Sequence, residues 1–316
     1  MKIAVLDDYQ QVARHMADWS RLEAEHEVTF FHQPYEGLEG FARRLEPFEI
    51  VCIMRERSPF GRDLIERLPN AKLFVTAGMR NAAIDMEACR ERGVPVLGTG
   101  GSVESTPELA WGLIFSLARH IHVENARMRE GSWITTLGRE VAGSTLGIVG
   151  LGRLGGRMAE IARAFRMEVI AWSQNLSDDR AQAAGARRVG KEELFRAADF
   201  ITIHYKMGER SRGIVGRHEL SLMKPTAYLV NTSRGPIVDT DALIAALKQG
   251  RIAGAGIDVY DEEPLPADHP LRSCPRTLLT PHLGYVTENT YRAFYGEIVE
   301  DIESWLKGEP LRVLVP

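Results

Sequence analysis

The chain has 316 residues, 44% of them hydrophobic and 26% charged, with a formal net charge of −4. That composition is ordinary for a globular protein and the length suits two domains. The mild negative charge excludes the basic footprint of a nucleic-acid or anionic-membrane binder. No uncharged apolar run reaches the roughly 18 residues of a membrane span, and the first eight residues turn acidic too early for a signal peptide. Cys52, Cys89 and Cys274 are scattered and odd in number. They read as reduced core thiols of a cytoplasmic protein, not as a metal cluster, so no metal is expected.

In chain order, residues 2–6, 28–31, 50–54, 73–76 and 94–97 read as strands, with helical patterns such as 64–68 and 84–92 between them. Strand–helix alternation predicts βαβ units and a parallel sheet. Right-handed crossovers then give a doubly wound layer. Pro107, in a first turn, opens what reads as one helix from Thr106 to about residue 129. Residues 125–137 read as an extended arm turning at Gly131. A second alternation follows, with strands at 146–149, 169–172, 200–204, 227–231, 255–259 and 277–280. The last helix, 288–306, sets Tyr291, Phe294, Ile298, Ile302 and Trp305 on one face. No repeat, low-complexity tract or flexible linker interrupts the chain.

Gly150-Leu151-Gly152-Arg153-Leu154-Gly155 follows an apolar strand and opens a helix. A lone glycine pattern is weak, but this context marks a dinucleotide fingerprint. Gly150 permits a tight turn, Gly152 a close approach to a pyrophosphate, and Gly155 close helix–strand packing. The N–H groups of Arg153 and Leu154 would face the phosphates. At the end of the next strand an acidic residue ordinarily binds the adenine ribose; here Ser173 stands there, followed by Gln174 and Asn175. Loss of that carboxylate removes repulsion against a 2′-phosphate, so the cofactor is NADP or NAD, leaning to NADP. Arg180 reads as a solvated helix residue instead of a phosphate clamp.

Three downstream stretches carry the chemistry: Asn231-Thr232-Ser233-Arg234-Gly235-Pro236, Asp258-Val259-Tyr260-Asp261-Glu262-Glu263-Pro264 and Thr280-Pro281-His282-Leu283-Gly284. Together with the fingerprint they make the chain resemble the D-isomer-specific 2-hydroxyacid dehydrogenases over nearly its whole length. The likeness is to phosphoglycerate dehydrogenases and glyoxylate or hydroxypyruvate reductases, without a regulatory domain. It implies an α/β protein of two doubly wound parallel-sheet domains. A flavodoxin-like substrate domain would comprise residues 1–100 plus 285–316, and a Rossmann dinucleotide domain residues 101–284, with the active site in the cleft between them.

His282 is the candidate acid–base group, since imidazole titrates near neutral pH. Taken alone, a histidine after Thr-Pro at a strand end reads as structural. Glu263, which the resemblance implies as its partner, would orient the ring and stabilise the imidazolium. Asp261 and Glu262 read as solvated. Arg234 is the candidate anchor for a substrate carboxylate, because guanidinium is a permanent, rigid fork; elsewhere it would read as a surface ion pair. The resemblance also implies Asp258 as a contact to the nicotinamide amide. Thr106, His204, Thr232 and Gly284 are weaker cofactor contacts. Gly78, Met79 and Arg80 resemble a loop whose N–H groups hold the substrate carboxylate, although Arg80 stands where the family has a glycine. Arg55 and Arg57 could read a substrate tail, and Tyr285 could narrow the pocket. The apolar arm around Trp133 suggests a homodimer by analogy. The expected activity is hydride transfer between a nicotinamide and a 2-oxo acid/D-2-hydroxy acid pair, acting on the CH–OH group. The alternative is a dinucleotide-sensing protein of the corepressor type. Which 2-oxo acid is reduced is not legible.

Overall fold

Short runs of Val, Ile, Leu and Phe bounded by turn residues form the strands. The structure, a computed structural model, describes residues 1–316. In chain order the strands are β1 (Lys2–Val5), β2 (Glu27–Phe30), β3 (Ile50–Ile53), β4 (Leu73–Thr76), β5 (Val96–Gly98), β6 (Thr145–Val149), β7 (Glu168–Trp172), β8 (Arg187–Arg188), β9 (Phe200–Ile203), β10 (Tyr228–Asn231), β11 (Gly254–Ile257), β12 (Thr277–Leu279) and β13 (Val313–Val315). The chain divides into two compact units, Met1–Ser102 with Val286–Pro316, and Val103–Tyr285.

The first unit holds a six-stranded sheet in the order β13-β5-β4-β3-β1-β2. Its strands are parallel except β13, which lies antiparallel on β5. The order reverses between β1 and β3, the switch point of a doubly wound sheet. Every residue of β3 and β4 is buried, as continuous apolar strands covered on both faces must be. Phe41, Phe60 and Phe74 continue the core edge to face, at 6.0 and 5.6 Å between centroids. Helix Glu288–Leu306 buries Tyr291, Phe294, Tyr295, Ile298 and Ile302, and Thr287 caps its N-terminus.

The second unit holds a seven-stranded, all-parallel sheet in the order β12-β11-β10-β9-β6-β7-β8. Its reversal lies between β6 and β9. Two apolar cores cover its faces, one around Ile201, Leu229 and Leu247, the other around Ile114, Met158 and Phe200. The fold is therefore α/β with two parallel sheets, as expected.

The helix expected over 106–129 is broken. Helix Ser105–Ala118 buries eight residues and helix Ile121–Arg129 buries none, with His120 between them at a left-handed φ of 53°. The sequence keeps its helical propensity, but past Ala118 no core holds the axis. Residues 125–129 are consequently helical and not extended, and the exposed arm begins beyond them, with Trp133, Ile134 and Leu137 at 74%, 77% and 93% exposure. Strands β8 and β13 were not expected. β8 is two arginines and β13 three residues at the chain's end, so neither carries a periodic signal. No helix is long and apolar enough to cross a membrane.

Candidate active site

After β6 the chain turns at Gly150, whose φ of +101° favours glycine. A Cβ there would lie 2.5 Å from the His204 carbonyl oxygen, and a Cβ on Gly155 would lie 2.2 Å from that of Gly150. Gly152 differs. Its φ is −96°, and no atom lies within 4 Å of where its Cβ would stand. Nothing in the protein demands a glycine there. A bare backbone facing open space, at the N-cap of helix Arg153–Ala164, suits an anionic group that must approach closely. Arg153 is exposed and Leu154 half-buried in the first turn of that helix. The Leu151 N–H donates to Ser173 Oγ at 2.9 Å, pinning the loop to the residue after β7.

His204 follows β9. Its Nε2 lies 2.8 Å from Thr202 Oγ1, while its buried Nδ1 has no protein partner. Burial pushes its pKa down to about 4, so the ring is neutral at physiological pH. Thr232, after the neighbouring β10, also has a buried hydroxyl without a partner. Each such orphan costs about 1–3 kcal/mol unless a ligand or water satisfies it. Open space at Gly152 and unpaired polar atoms at two strand ends fit a dinucleotide.

β11 and β12 lie side by side, with Ile257 paired to Leu279, so their ends bring residues 258–263 next to 280–284. The fully buried Asp258 carboxylate accepts bonds from Thr280 Oγ1 at 2.6 Å, Leu283 N at 2.7 Å and Gly284 N at 2.9 Å. Burial raises its pKa, and those donors together with His282 oppose the rise. His282 has a φ of 53°, a conformation that costs about 1 kcal/mol or more outside glycine and persists only when its surroundings over-determine it. Here they do: its N–H donates to the carbonyls of Asp258 at 2.8 Å and Thr280 at 3.1 Å. The imidazole Nδ1 lies 2.5 Å from Glu263 Oε2. A carboxylate only accepts, so Nδ1 carries the proton and Nε2 is turned to other use. The other Glu263 oxygen accepts the Tyr260 N–H at 2.8 Å. Of the three consecutive carboxylates, Asp261 instead accepts from Thr240 and Glu262 is exposed.

Arg234 follows β10. Asn231 Nδ2 donates to its carbonyl at 3.0 Å, and its own Nη1 donates to Ser233 O at 2.7 Å. A Cβ on Gly235 would lie 2.1 Å from the Tyr260 carbonyl carbon. The loop bearing the arginine thus packs directly on the segment bearing Glu263. Thr106 Oγ1 donates to Gly284 O at 2.9 Å, tying the first turn of helix Ser105–Ala118 to the histidine turn. Tyr285 meets the His282 ring edge to face at 5.4 Å. Tyr260 was missed in the sequence, because an aromatic in a turn gives no hint of which carbonyls its hydroxyl reaches.

In the first unit, Gly78 follows β4 with a φ of +92°, and its N–H donates to Thr99 Oγ1 at 2.8 Å. Arg55 lies across this loop, its Nη1 donating to Ala77 O at 3.2 Å and Arg80 O at 3.4 Å. Met79 and Arg80 are exposed. Arg80 keeps a negative φ, so the loop turns without the glycine the family has there. Arg57 is held within the unit by the Asp7 carbonyl and the Tyr291 hydroxyl.

A parallel sheet with a glycine turn at its switch point, and with arginine, carboxylate and histidine on adjoining strand ends, defines a nicotinamide-dependent oxidoreductase. Comparison with known proteins sharpens the class. Residues 111–284 match the family model described as D-isomer specific 2-hydroxyacid dehydrogenase, NAD binding domain. The chain is 35% identical over 286 residues to a glyoxylate reductase of Aeropyrum pernix, covering 87% of this chain and 84% of that one. It is 37% identical over 263 residues to a D-3-phosphoglycerate dehydrogenase of Methanocaldococcus jannaschii, 82% of this chain but only 50% of that protein. The crystal structure of a phosphoglycerate oxidoreductase from Vibrio cholerae o395 matches with a TM-score of 0.93 at 36% identity, covering 98% of this chain and 99% of that one. The chain belongs to the D-isomer-specific 2-hydroxyacid dehydrogenases, NAD(P)-dependent enzymes that move a hydride between a nicotinamide and a 2-oxo acid/D-2-hydroxy acid pair. These relatives carry enzyme names and lend no support to the dinucleotide-sensing alternative.

Proposed function

We propose that this enzyme reduces a small 2-oxo acid of the glyoxylate class, with a lean to NADPH over NADH. Residues 101–284 would bind the dinucleotide, and residues 1–100 with 285–316 the acid. The observation that carries the reading is the 2.5 Å contact of Glu263 with His282, beside a loop that presents Arg234. When bound, the nicotinamide supplies the hydride for the carbonyl carbon. His282 gives the proton at Nε2 to the carbonyl oxygen, and Glu263 stabilises the imidazolium before that transfer. Arg234 holds the carboxylate and polarises the adjacent carbonyl. In the first unit, the exposed Met79 and Arg80 of the loop after β4 are the candidate substrate contacts, while the Gly78 N–H is taken by Thr99 and shapes the turn.

On the cofactor side, Gly150, Gly152, Arg153, Leu154 and Gly155 hold the pyrophosphate, and Thr106, His204, Thr232, Asp258 and Gly284 line the nicotinamide end. Ser173 supports NADP because, unlike a carboxylate in its place, it carries no charge to repel a 2′-phosphate. Its oxygen already accepts the Leu151 N–H, which leaves its hydroxyl proton for an acceptor such as a phosphate oxygen. The exposed apolar groups Ile121, Met128, Trp133, Ile134 and Leu137 support a homodimer in which a second copy covers the arm, and the buried, unpaired cysteines support a cytoplasmic setting. The deciding experiment follows the oxidation of NADPH and NADH against a panel of 2-oxo acids. Turnover fastest with glyoxylate and NADPH is expected. Dinucleotide binding without turnover of any acid would overturn the reading.

A further inference from the structure

We propose that Tyr260 is a positioning residue that holds both members of the acid–base pair at once. This rests on the reading of Glu263 and His282 given above. The Tyr260 main-chain N–H donates to Glu263 Oε1 at 2.8 Å and fixes the carboxylate from behind. The hydroxyl of the same residue reaches the other member. It donates to Thr280 O at 2.9 Å, with a longer contact to Ile257 O at 3.1 Å. The Thr280 carbonyl is one of the two that accept the His282 N–H. The phenol and the histidine backbone therefore meet on one oxygen, and the phenol also closes the end of β11 beside β12.

The ring is half-buried beside a shallow depression lined in part by Leu243, Val259 and Leu271. One side of the ring packs against the apolar core of the second unit, and the hydroxyl fixes its far end on the Thr280 carbonyl. Burial and the neighbouring charges of Asp258 and Glu263 raise the phenol's pKa, so it stays a donor at any working pH. The His282 turn is held in a left-handed conformation, and each bond to its carbonyls helps set where Nε2 points. Losing a group that orients a reactive side chain through a second layer misplaces that side chain, and misplacement lowers rate.

The test is Tyr260→Phe, which keeps the ring and the main-chain N–H. The expected result is a kcat about tenfold lower, with KM and the dinucleotide Kd within about twofold. The downfield Nδ1 proton resonance of His282 should move as well. In a Glu263→Gln background the same change should cost less than about twofold, because the two act on one alignment. A wild-type kcat with an unmoved resonance would overturn the proposal. So would a loss fully additive with Glu263→Gln. A Glu263→Gln variant with wild-type turnover would sink the underlying reading instead, which keeps the two failures apart. If the Phe variant does not fold, Tyr260→His, which keeps a donor on the ring edge, is set against Tyr260→Leu. Equal kcat in that pair overturns the proposal, and a faster His variant supports it.

Discussion

The two sheets end in buried carboxylates that are treated in opposite ways. At the end of β11, Asp258 has donors on both oxygens, and those donors are the hydroxyl and N–H groups of the turn that presents His282. At the end of β1, Asp7 accepts from Ser58 on one oxygen and has nothing on the other, and burial pushes its pKa up to about 6. Asp301, in helix Glu288–Leu306, repeats the second case: Arg312 serves one oxygen, the other has no partner, and burial pushes the pKa up to about 7. Burial raises the pKa of all three carboxylates, but only Asp258 is saturated, with donors on both oxygens, and these make it an acceptor around which a turn is built. The candidate site is built around the saturated kind.

The sharpest way to break that contrast is to remove the groups the saturated region presents. His282→Gln or Arg234→Ala is expected to lower turnover by about 10³-fold or more, while calorimetric dinucleotide affinity changes little. Near-wild-type turnover in either variant would remove that residue from the mechanism. Next in size is the glycine loop. Gly152→Ala meets no protein atom, so its melting temperature should stay at the wild-type value while dinucleotide affinity falls about 10- to 100-fold. Gly155→Ala collides with the Gly150 carbonyl and should lose stability as well. Equal melting losses in the two would mean that Gly152 serves the fold and not a ligand. Smaller still is the selector: Ser173→Asp should move the NADPH/NADH ratio of kcat/KM at least about tenfold toward NADH through charge repulsion of the 2′-phosphate. An unmoved ratio would place selection elsewhere.

Sequence pattern carried much of this and stopped at definite points. β3, β4, β9 and β10 were legible because apolar runs of that length leave few alternatives, and helix Glu288–Leu306 because its apolar residues recur at helical spacing. The break at His120 was not, since backbone handedness there follows from the end of the core beneath Ala118 and not from local propensity. Within the candidate site, Arg234, Glu263 and His282 could be named from their motifs. What the motifs withhold is how the groups are held: the three donors on Asp258, the shared Thr280 carbonyl and the reach of the Tyr260 hydroxyl all depend on β11 lying against β12.

The smallest effect concerns the unsaturated kind, and its sign is fixed. Asp301 titrates at about 7 in the folded chain against an ordinary 3.8. Between those values the folded state binds more protons than the unfolded one, so stability must fall as pH rises through that window. The stabilising contribution is fully present below about pH 4 and is lost as the pH passes about 7. The groups facing Asp301 are Arg312, which lowers its pKa, and Glu297 and Glu300, which raise it. Asp301→Asn keeps an acceptor for Arg312 but takes up no proton. Its denaturation midpoint should be flatter across this window than that of the wild type, gaining on it as pH rises. Asp7→Asn should behave in the same direction over a narrower range, ending near pH 6. Parallel midpoint curves for Asp301→Asn and the wild type would mean that the helix carboxylate is ionised throughout, and that the contrast with Asp258 lies in geometry alone.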